Sequence, residues 1–415
     1  MDSDKLRKMK NLKQFSKSFS IAISLAILLI TTPALFAQST TPRDYRFDGS
    51  ISREVLQNYL SRAIHMGRLG EGLGNTADNI RMVKNMGAKY LGRVIVIFGK
   101  ESTIAHRLQT TRTIGEQIHA NDPDIILEGG IFEYASTEVN AIPVPAYVFQ
   151  EFNLPVETRN FRHSEMVFAD NPIIKRANTV PDITKMETRL WYYYLATSQI
   201  DAGIESIHWG YFEPQSYNDR PNYTNYYDMF ARVRRYAKTH ARRHFVLCNA
   251  DSNIAVAIDG NLLFDFGSGN LHANGIKEVL TDPQKCILTG RYGRSGQGIT
   301  PSGWSTTKLP FLVHFDNNGA RYRSNGGTPG DGSWNWDEIS WFANQPEVYR
   351  NEFLRYADNY ISNMWPDNAG HLEMPGMRVI TPAINGNGYY FANSSAFNPL
   401  GFNQEETIRQ IWAGQ

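Results

Sequence analysis

Only two cysteines, Cys248 and Cys286, occur in 415 residues. That is too few for a disulfide-built scaffold, so stability has to come from a buried core. Cys248 stands in an apolar, strand-like run where buried free thiols are common, and free thiols are expected. Two cysteines alone also lack the ligand set of a zinc centre. Charge of one sign is missing as well: 42 Lys and Arg face 41 Asp and Glu. Phosphate recognition leaves a basic excess, so no nucleic-acid partner is expected. No Walker A sequence occurs, and no Gly-x-Gly-x-x-Gly opens a helix after a strand. Gly67, Gly70, Gly72 and Gly74 supply neither the third-glycine spacing nor an acidic partner. There is no His-Glu-x-x-His helix and no His-x-His after the first strand-like run. No cofactor and no metal centre are expected.

Long apolar runs are scarce too, with one exception at the start. Lys5, Arg7, Lys8, Lys10, Lys13 and Lys17 precede an apolar stretch from Phe19 to Ile30, followed by Pro33-Ala34-Leu35-Phe36-Ala37 and a polar Gln38-Ser39-Thr40-Thr41. A basic start, a stretch too short to span a bilayer comfortably and a small residue at its end read as a signal peptide, residues 1–37. An uncleaved anchor is the other reading of the same stretch. Cleavage after Ala37 removes those six bases and only two acids, Asp2 and Asp4. The expected product is an exported, slightly acidic protein, periplasmic or extracellular, with no stable membrane span. Residues 38–50 read as a linker and 51–415 as one large domain.

What is abundant is alternation. Strand-like runs at 62–67, 93–98, 124–128, 203–208, 244–249, 261–266, 311–316 and 371–374 are separated by helical stretches, including 103–120, 183–201, 225–242 and 338–363. In the stretch from Asn225, Met229, Phe230, Val233 and Tyr236 recur at helical spacing. Eight strands with intervening helices match the (β/α)8 barrel, a single large α/β domain; an open doubly wound sheet is the alternative. The first, sixth and eighth runs are the weakest of the eight.

In such a barrel, function sits where strands end and their loops begin. Those positions carry Arg68, Glu71, Lys100, Glu101, Glu128, Glu133, His208, Glu213, Asn249, Asp251, Asp265, His314, Asp316, Asn317 and Glu373. A carboxylate after most of the ends makes a convergent acidic crater that a barrel does not need for stability. Two segments are distinctive: His208-Trp209-Gly210-Tyr211-Phe212-Glu213-Pro214 and His314-Phe315-Asp316-Asn317-Asn318-Gly319. On these the chain resembles the (β/α)8-barrel glycoside hydrolases, many of which place an acid/base Glu at strand four, often before Pro, and a second carboxylate at strand seven. The resemblance spans about residues 51–415 in architecture, with Glu213-Pro214 and Asp316 as its specific motifs. Phe212 stands where an Asn is usual, and strand seven carries Asp rather than Glu. The resemblance implies Glu213 and Asp316 as the catalytic pair.

Glycosidic bond cleavage independently asks for one carboxyl held protonated and one ionised. Glu128, before Gly129-Gly130, is the first substitute for either role, with Asp265 and Glu373 behind it. Arg68, His208, Trp209, Asn249, Asp251, His314 and Asn317 are candidate substrate contacts. So are Trp334 and Trp336, on a long Gly- and Asn-rich loop after strand seven, because indole faces stack on pyranose rings. Trp341, at helical spacing with Ile339 and Phe342, reads as core. Each carboxylate also has a bland reading: Glu213 as a loop anchor, Asp316 as the start of an Asx turn. The function expected is an exported glycoside hydrolase acting on a poly- or oligosaccharide. A non-catalytic carbohydrate-binding barrel, a polysaccharide lyase, or a metal-dependent hydrolase using His208, Asp251, His314, Asp316 or Glu373 remain alternatives. Fold alone does not decide among them, and oligomeric state is not legible.

Overall fold

Eight parallel strands form the centre of the chain: β1 Ala63–Met66, β2 Tyr90–Ile97, β3 Ile126–Ile131, β4 Ser206–Trp209, β5 Leu247–Asn249, β6 Gly267–Asn270, β7 Phe311–His314 and β8 Gly370–Ile384. They lie side by side in the order β5-β4-β3-β2-β1-β8-β7-β6. A parallel bridge between Asp251 and Ser268 joins the two ends of that order. The sheet is thus a nearly closed (β/α)8 barrel, as the alternation predicts. This computed structural model describes residues 43–97, 99–131, 134–169, 171–174, 176–251, 256–271, 273–274, 287–288, 297–316, 338–364, 369–384 and 387–414. Residues 43–415 make one compact unit. The leader segment, Cys286, Glu133, Asn317, Trp334 and Trp336 lie outside the described residues. Among the described residues, no helix is long and apolar enough to cross a membrane.

Local sequence explains the elements. Helix α1, Arg53–Leu60, seals the barrel from below. Ser52 caps it, accepting from Val55 N at 3.2 Å, and Leu56, Tyr59 and Leu60 are its buried face. Helix α2, Thr76–Met86, is capped by Asn75 and ends on Gly87 in the left-handed region, the usual Gly stop. Helices α3 Ile104–Asn121, α4 Met186–Asp201 and α5 Thr224–His240 follow β2, β3 and β4. Helix α5 buries Met229, Phe230 and Val233, three of the four residues that carried its predicted period.

Two expectations need correction. The run 261–266 is not the sixth barrel strand. Asn261–Leu262 instead belongs to a small sheet with Ala257–Ile258, Gly298–Ile299 and Ser305–Thr306, and the barrel strand is the following Gly-Ser-Gly-Asn. The helix expected at 338–363 is two helices, α6 Glu338–Ala343 and α7 Glu347–Met364. Pro346 lies in the break, and it cannot donate the backbone bond that a continuous helix needs. After β8 the chain turns back through β9, Asn387–Phe391, antiparallel to β8, and ends in α8, Glu405–Ala413.

Candidate functional site

Register sets the level of the site. His208 lies beside Gly130 of β3 and Asn249 of β5. On the other side of the barrel, His314 lies beside Asn270 of β6 and Glu373 of β8. Because alternate strand residues face opposite ways, His208 points inward and its neighbour Trp209 outward.

At the centre is Arg93, a residue not singled out from sequence. Its backbone has φ of 56°, and the register between β2 and β3 shifts between Leu91 and Ile95. Such bulges redirect side chains near functional sites. Arg93 N donates to Glu128 Oε2 at 3.1 Å. The buried guanidinium aims one nitrogen, Nη2, at three acceptors: His208 Nε2 at 3.1 Å, His314 Nε2 at 3.2 Å and Asp251 Oδ2 at 3.3 Å. The place where those three acceptors converge therefore already holds a fixed positive charge. Among the described residues, no three His, Cys, Asp or Glu side chains form a metal-holding group.

Around this hub the hydrogen bonds fix orientation. His208 Nδ1 meets Asn249 Oδ1 at 2.7 Å, and Asn249 Nδ2 donates to Glu128 Oε1 at 2.7 Å. With the amide oriented in that way, His208 carries its proton on Nδ1 and accepts from Arg93 on Nε2. Ser268 donates to Asn249 Oδ1 and Asp251 Oδ1. Tyr90 donates to Glu128 Oε1 at 2.5 Å.

A second chain of contacts runs from the floor to the wall of the crater. Glu373 Oε2 lies 3.3 Å from His65 Nδ1, and Arg378 Nη1 lies 2.8 Å from His65 Nε2. Arg378 Nη2 in turn holds Asp316 Oδ1, and Asn270 donates to Asp316 Oδ2 at 2.8 Å. Gly92 makes room at the floor. A Cβ there would lie 1.7 Å from Glu373 Oε1 and 3.5 Å from Glu128 Oε2, so both carboxylates face the space that the glycine leaves.

The carboxyl groups occupy contrasting environments. Glu373 is raised to about 8, first by burial and then by the nearby negative charge of Glu128, against the pull of Arg93 and Arg378. At neutral pH it is largely protonated. Burial also opposes ionisation of Asp251. The neighbourhood of His208, His314 and Arg93 outweighs it and holds Asp251 well below the usual carboxylate range; with His314 neutral, the lasting attraction is that of the Arg93 guanidinium 3.3 Å away. His65 and His314 are pushed well down by burial and by Arg378 and Arg93 respectively, so both rings are neutral. Exposure follows the same division: side-chain exposure is 30% for Asp251 and 18% for Asp316, against 3% for Glu373.

The residues singled out from sequence separate into groups. Glu128, His208, Asn249, Asp251, His314, Asp316 and Glu373 meet in the crater. Arg68 lies at the mouth beyond β1, bonded to Glu71 and to the Tyr389 hydroxyl. Glu213 lies on the short helix Phe212–Gln215 beyond β4, half-buried, with its backbone carbonyl accepting from Ser216 and Arg220. Trp209 is fully buried against Tyr192 and Phe230. It packs between β4 and the helices, so it offers no face to a sugar, contrary to expectation. Asp265 precedes β6 instead of ending a strand, and there it accepts from Cys248 N and Arg234; it holds β5 to α5 and is not part of the crater. The room left by Gly129 is taken by Gln199 of α4, not by a ligand. Cys248 is a buried free thiol, and Trp341 is core. Arg93, His65, Ser268, Asn270 and Arg378 were missed. For Arg93 the signal was present, a lone charge heading the apolar run Val94-Ile95-Val96-Ile97.

No family model matches the chain, and no curated protein matches it. Among solved structures it is similar to a debranching enzyme from Nostoc punctiforme, at 12% identity over 50% of this chain and 43% of that one, TM-score 0.29. The acarbose-soaked form of that enzyme aligns over 81% and 70%, TM-score 0.38. A β-L-arabinopyranosidase from Geobacillus stearothermophilus, in complex with arabinose, aligns at 11% identity over 86% and 78%, TM-score 0.37. At that distance the similarities do not say what this chain acts on.

Proposed function

We propose that the protein is a glycoside hydrolase whose crater cleaves a poly- or oligosaccharide. The observation that carries this reading is the pair of opposed carboxyl states on one site. Asp251, 30% exposed at the mouth and 3.3 Å from Arg93, is favoured in its ionised form. Glu373, buried at the floor near Glu128, is favoured in its protonated form, with Arg93 between their elements. Titratable groups pushed apart by their surroundings mark acid and base assignments, and glycosidic cleavage uses one of each. In this reading the anomeric C–O bond breaks as the Glu373 proton goes to the leaving oxygen, and Asp251 supports or attacks the anomeric carbon. Water then adds its hydroxyl to that carbon and returns a proton to Glu373. His208, His314 and Asn249 fix Asp251 and Arg93, and Asp316, held by Arg378 and Asn270, orients hydroxyl groups.

The pair implied by the family resemblance, Glu213 with Asp316, is the second reading. The position of Asp316 on the crater wall favours it. We propose also that residues 1–37 direct export and are removed. A secreted product beginning at Gln38 supports this, and a retained leader in the membrane fraction overturns it.

The test is a broad glycan panel scored for new reducing ends and for unsaturated products. Glu373→Gln and Asp251→Asn are each expected to lower turnover by about a hundredfold or more, with folding checked by thermal melting. Loss in Glu213→Gln and Asp316→Asn with Glu373→Gln unaffected selects the second reading. Unsaturated products in place of reducing ends select a lyase. Glycan binding with no cleavage overturns hydrolysis altogether.

A further inference from the structure

The loops beyond β1, β2, β3 and β4 each set a basic side chain outward: Arg68, Lys100, Arg176 and Arg220. Arg68 is 51% exposed, and the other three are exposed. Several acids of the same loops are engaged by neighbouring groups. Glu71 takes Arg68, Arg107 and Val96 N; Glu101 takes Ser136 N and Oγ; Asp219 takes Asn225 N and Tyr226 N. Glu138, half-exposed beside Lys100, accepts from Ser102; Glu157 and Glu165, exposed farther along the loop after β3, pair with Arg159 and Arg162, and Glu213 after β4 is half-buried. Arg68, which shares Glu71, and Arg176 and Arg220 are the exposed bases of these loops that also meet a tyrosine.

Two further features single these residues out. Arg68, Lys100 and Arg176 all sit at positive φ, 65°, 54° and 59°, a region that disfavours any side chain. Such strain collects at binding sites. The arginines are also set on tyrosines: Arg176 lies 5.5 Å over the Tyr134 ring and Arg220 5.7 Å over Tyr217, while Arg68 Nη1 meets the Tyr389 hydroxyl at 3.0 Å. Tyr134 lies 5.7 Å from Tyr211. A flat ring beside a guanidinium matches a pyranose that carries an anionic substituent. Because β1 to β4 are neighbours and parallel, their ends span about 15 Å, the reach of a short oligosaccharide. The open carboxylates Asp251 and Asp316 lie beyond β5 and β7, on the other side of the mouth.

We propose that the substrate is an anionic glycan, bearing carboxylate or sulfate groups, bound along the β1–β4 side of the mouth by Arg68, Arg176 and Arg220. This rests on the glycosidase reading for its location and deepens it to a substrate class. The experiment is calorimetric binding of three oligosaccharides of equal length, an oligogalacturonate, a sulfated galactan and a neutral galactan, at low and high salt. Each is scored in parallel for cleavage. Wild type is expected to bind one or both anionic probes with affinity that falls as salt rises. The Arg68→Gln, Arg176→Gln, Arg220→Gln triple variant is expected to bind about tenfold or more weakly. A triple Lys variant should recover much of that loss, which a merely structural role would not show. Preference for the galacturonate or for the sulfated probe identifies the anionic group. Equal binding of the neutral probe, or no effect of salt and of the triple Gln variant, overturns the proposal even where cleavage is seen. Salt-sensitive anionic binding without cleavage upholds it and removes the glycosidase reading instead.

Discussion

The two sides of this barrel are built by different means. From β1 to β4 every strand leads into a helix, α2, α3, α4 or α5. Between β5 and β7 the described residues contain no helix; short antiparallel strands stand there instead. The barrel strand on that side, β6, is Gly267-Ser268-Gly269-Asn270. It borrows its bulk: Phe311 of β7 lies over both glycines, so that a Cβ on Gly267 would be 2.7 Å from the ring and one on Gly269 3.1 Å. The regular side supplies Arg93, Glu128 and His208, and the irregular side supplies Asn249, Asp251, Ser268, Asn270, His314 and Asp316. A strand emptied of side-chain volume leaves room for polar groups to converge, while a neighbour's aromatic ring keeps the wall packed.

Substitutions at defined points separate the two sides. The largest effect is expected at the joint between the sides. Asp265→Ala removes the carboxylate partner of Arg234, which still donates to the Leu263 carbonyl, and takes the Asp265 acceptor from Cys248 N in a buried place, at a cost of about 3–5 kcal/mol in chemical unfolding; a loss below 1 kcal/mol would show that the joint is not needed. On the regular side, Gly92→Ala drives a methyl into the Glu373 carboxylate and is expected to cost about 3 kcal/mol. It should also abolish activity, since the floor acid must move. On the irregular side, Gly267→Ala presses on the Phe311 ring and should cost about 1–3 kcal/mol. Adding Phe311→Leu should return part of that loss, and strict additivity of the two changes would contradict the borrowed-bulk account.

The same division explains what was legible beforehand. Strands β2 and β7 and helices α3 and α5 carry their own apolar pattern, so their place follows from periodicity. Strand β6 does not, because its hydrophobic contribution is made by Phe311, and the nearby apolar run 261–266 drew the prediction to itself. The crater was readable where a strand end carried an acid or a histidine, as at Glu128, Asp251, His314 and Glu373. Arg93 escaped because it lies inside β2 and reaches the centre through a bulge, and Arg378 because β8 extends past its apolar start. Trp209 was misplaced by one step of alternation: the inward residue is His208. Asp265 lies in the same run 261–266, which is not a barrel strand.

Hydrolysis by this crater needs Glu373 held protonated at neutral pH, and unfolding of wild type beside Glu373→Gln across pH 5 to 8 tests that directly. A carboxyl raised in the folded state contributes stability fully at pH values below its unfolded pKa and loses it as pH rises through the folded value of about 8. Depressed His65 and His314 contribute in the opposite sense and are common to both proteins. Wild type should therefore lose stability relative to Glu373→Gln with rising pH, by up to about 1.4 kcal/mol per pH unit. Parallel curves over that range would mean that Glu373 is already ionised and holds no proton to give.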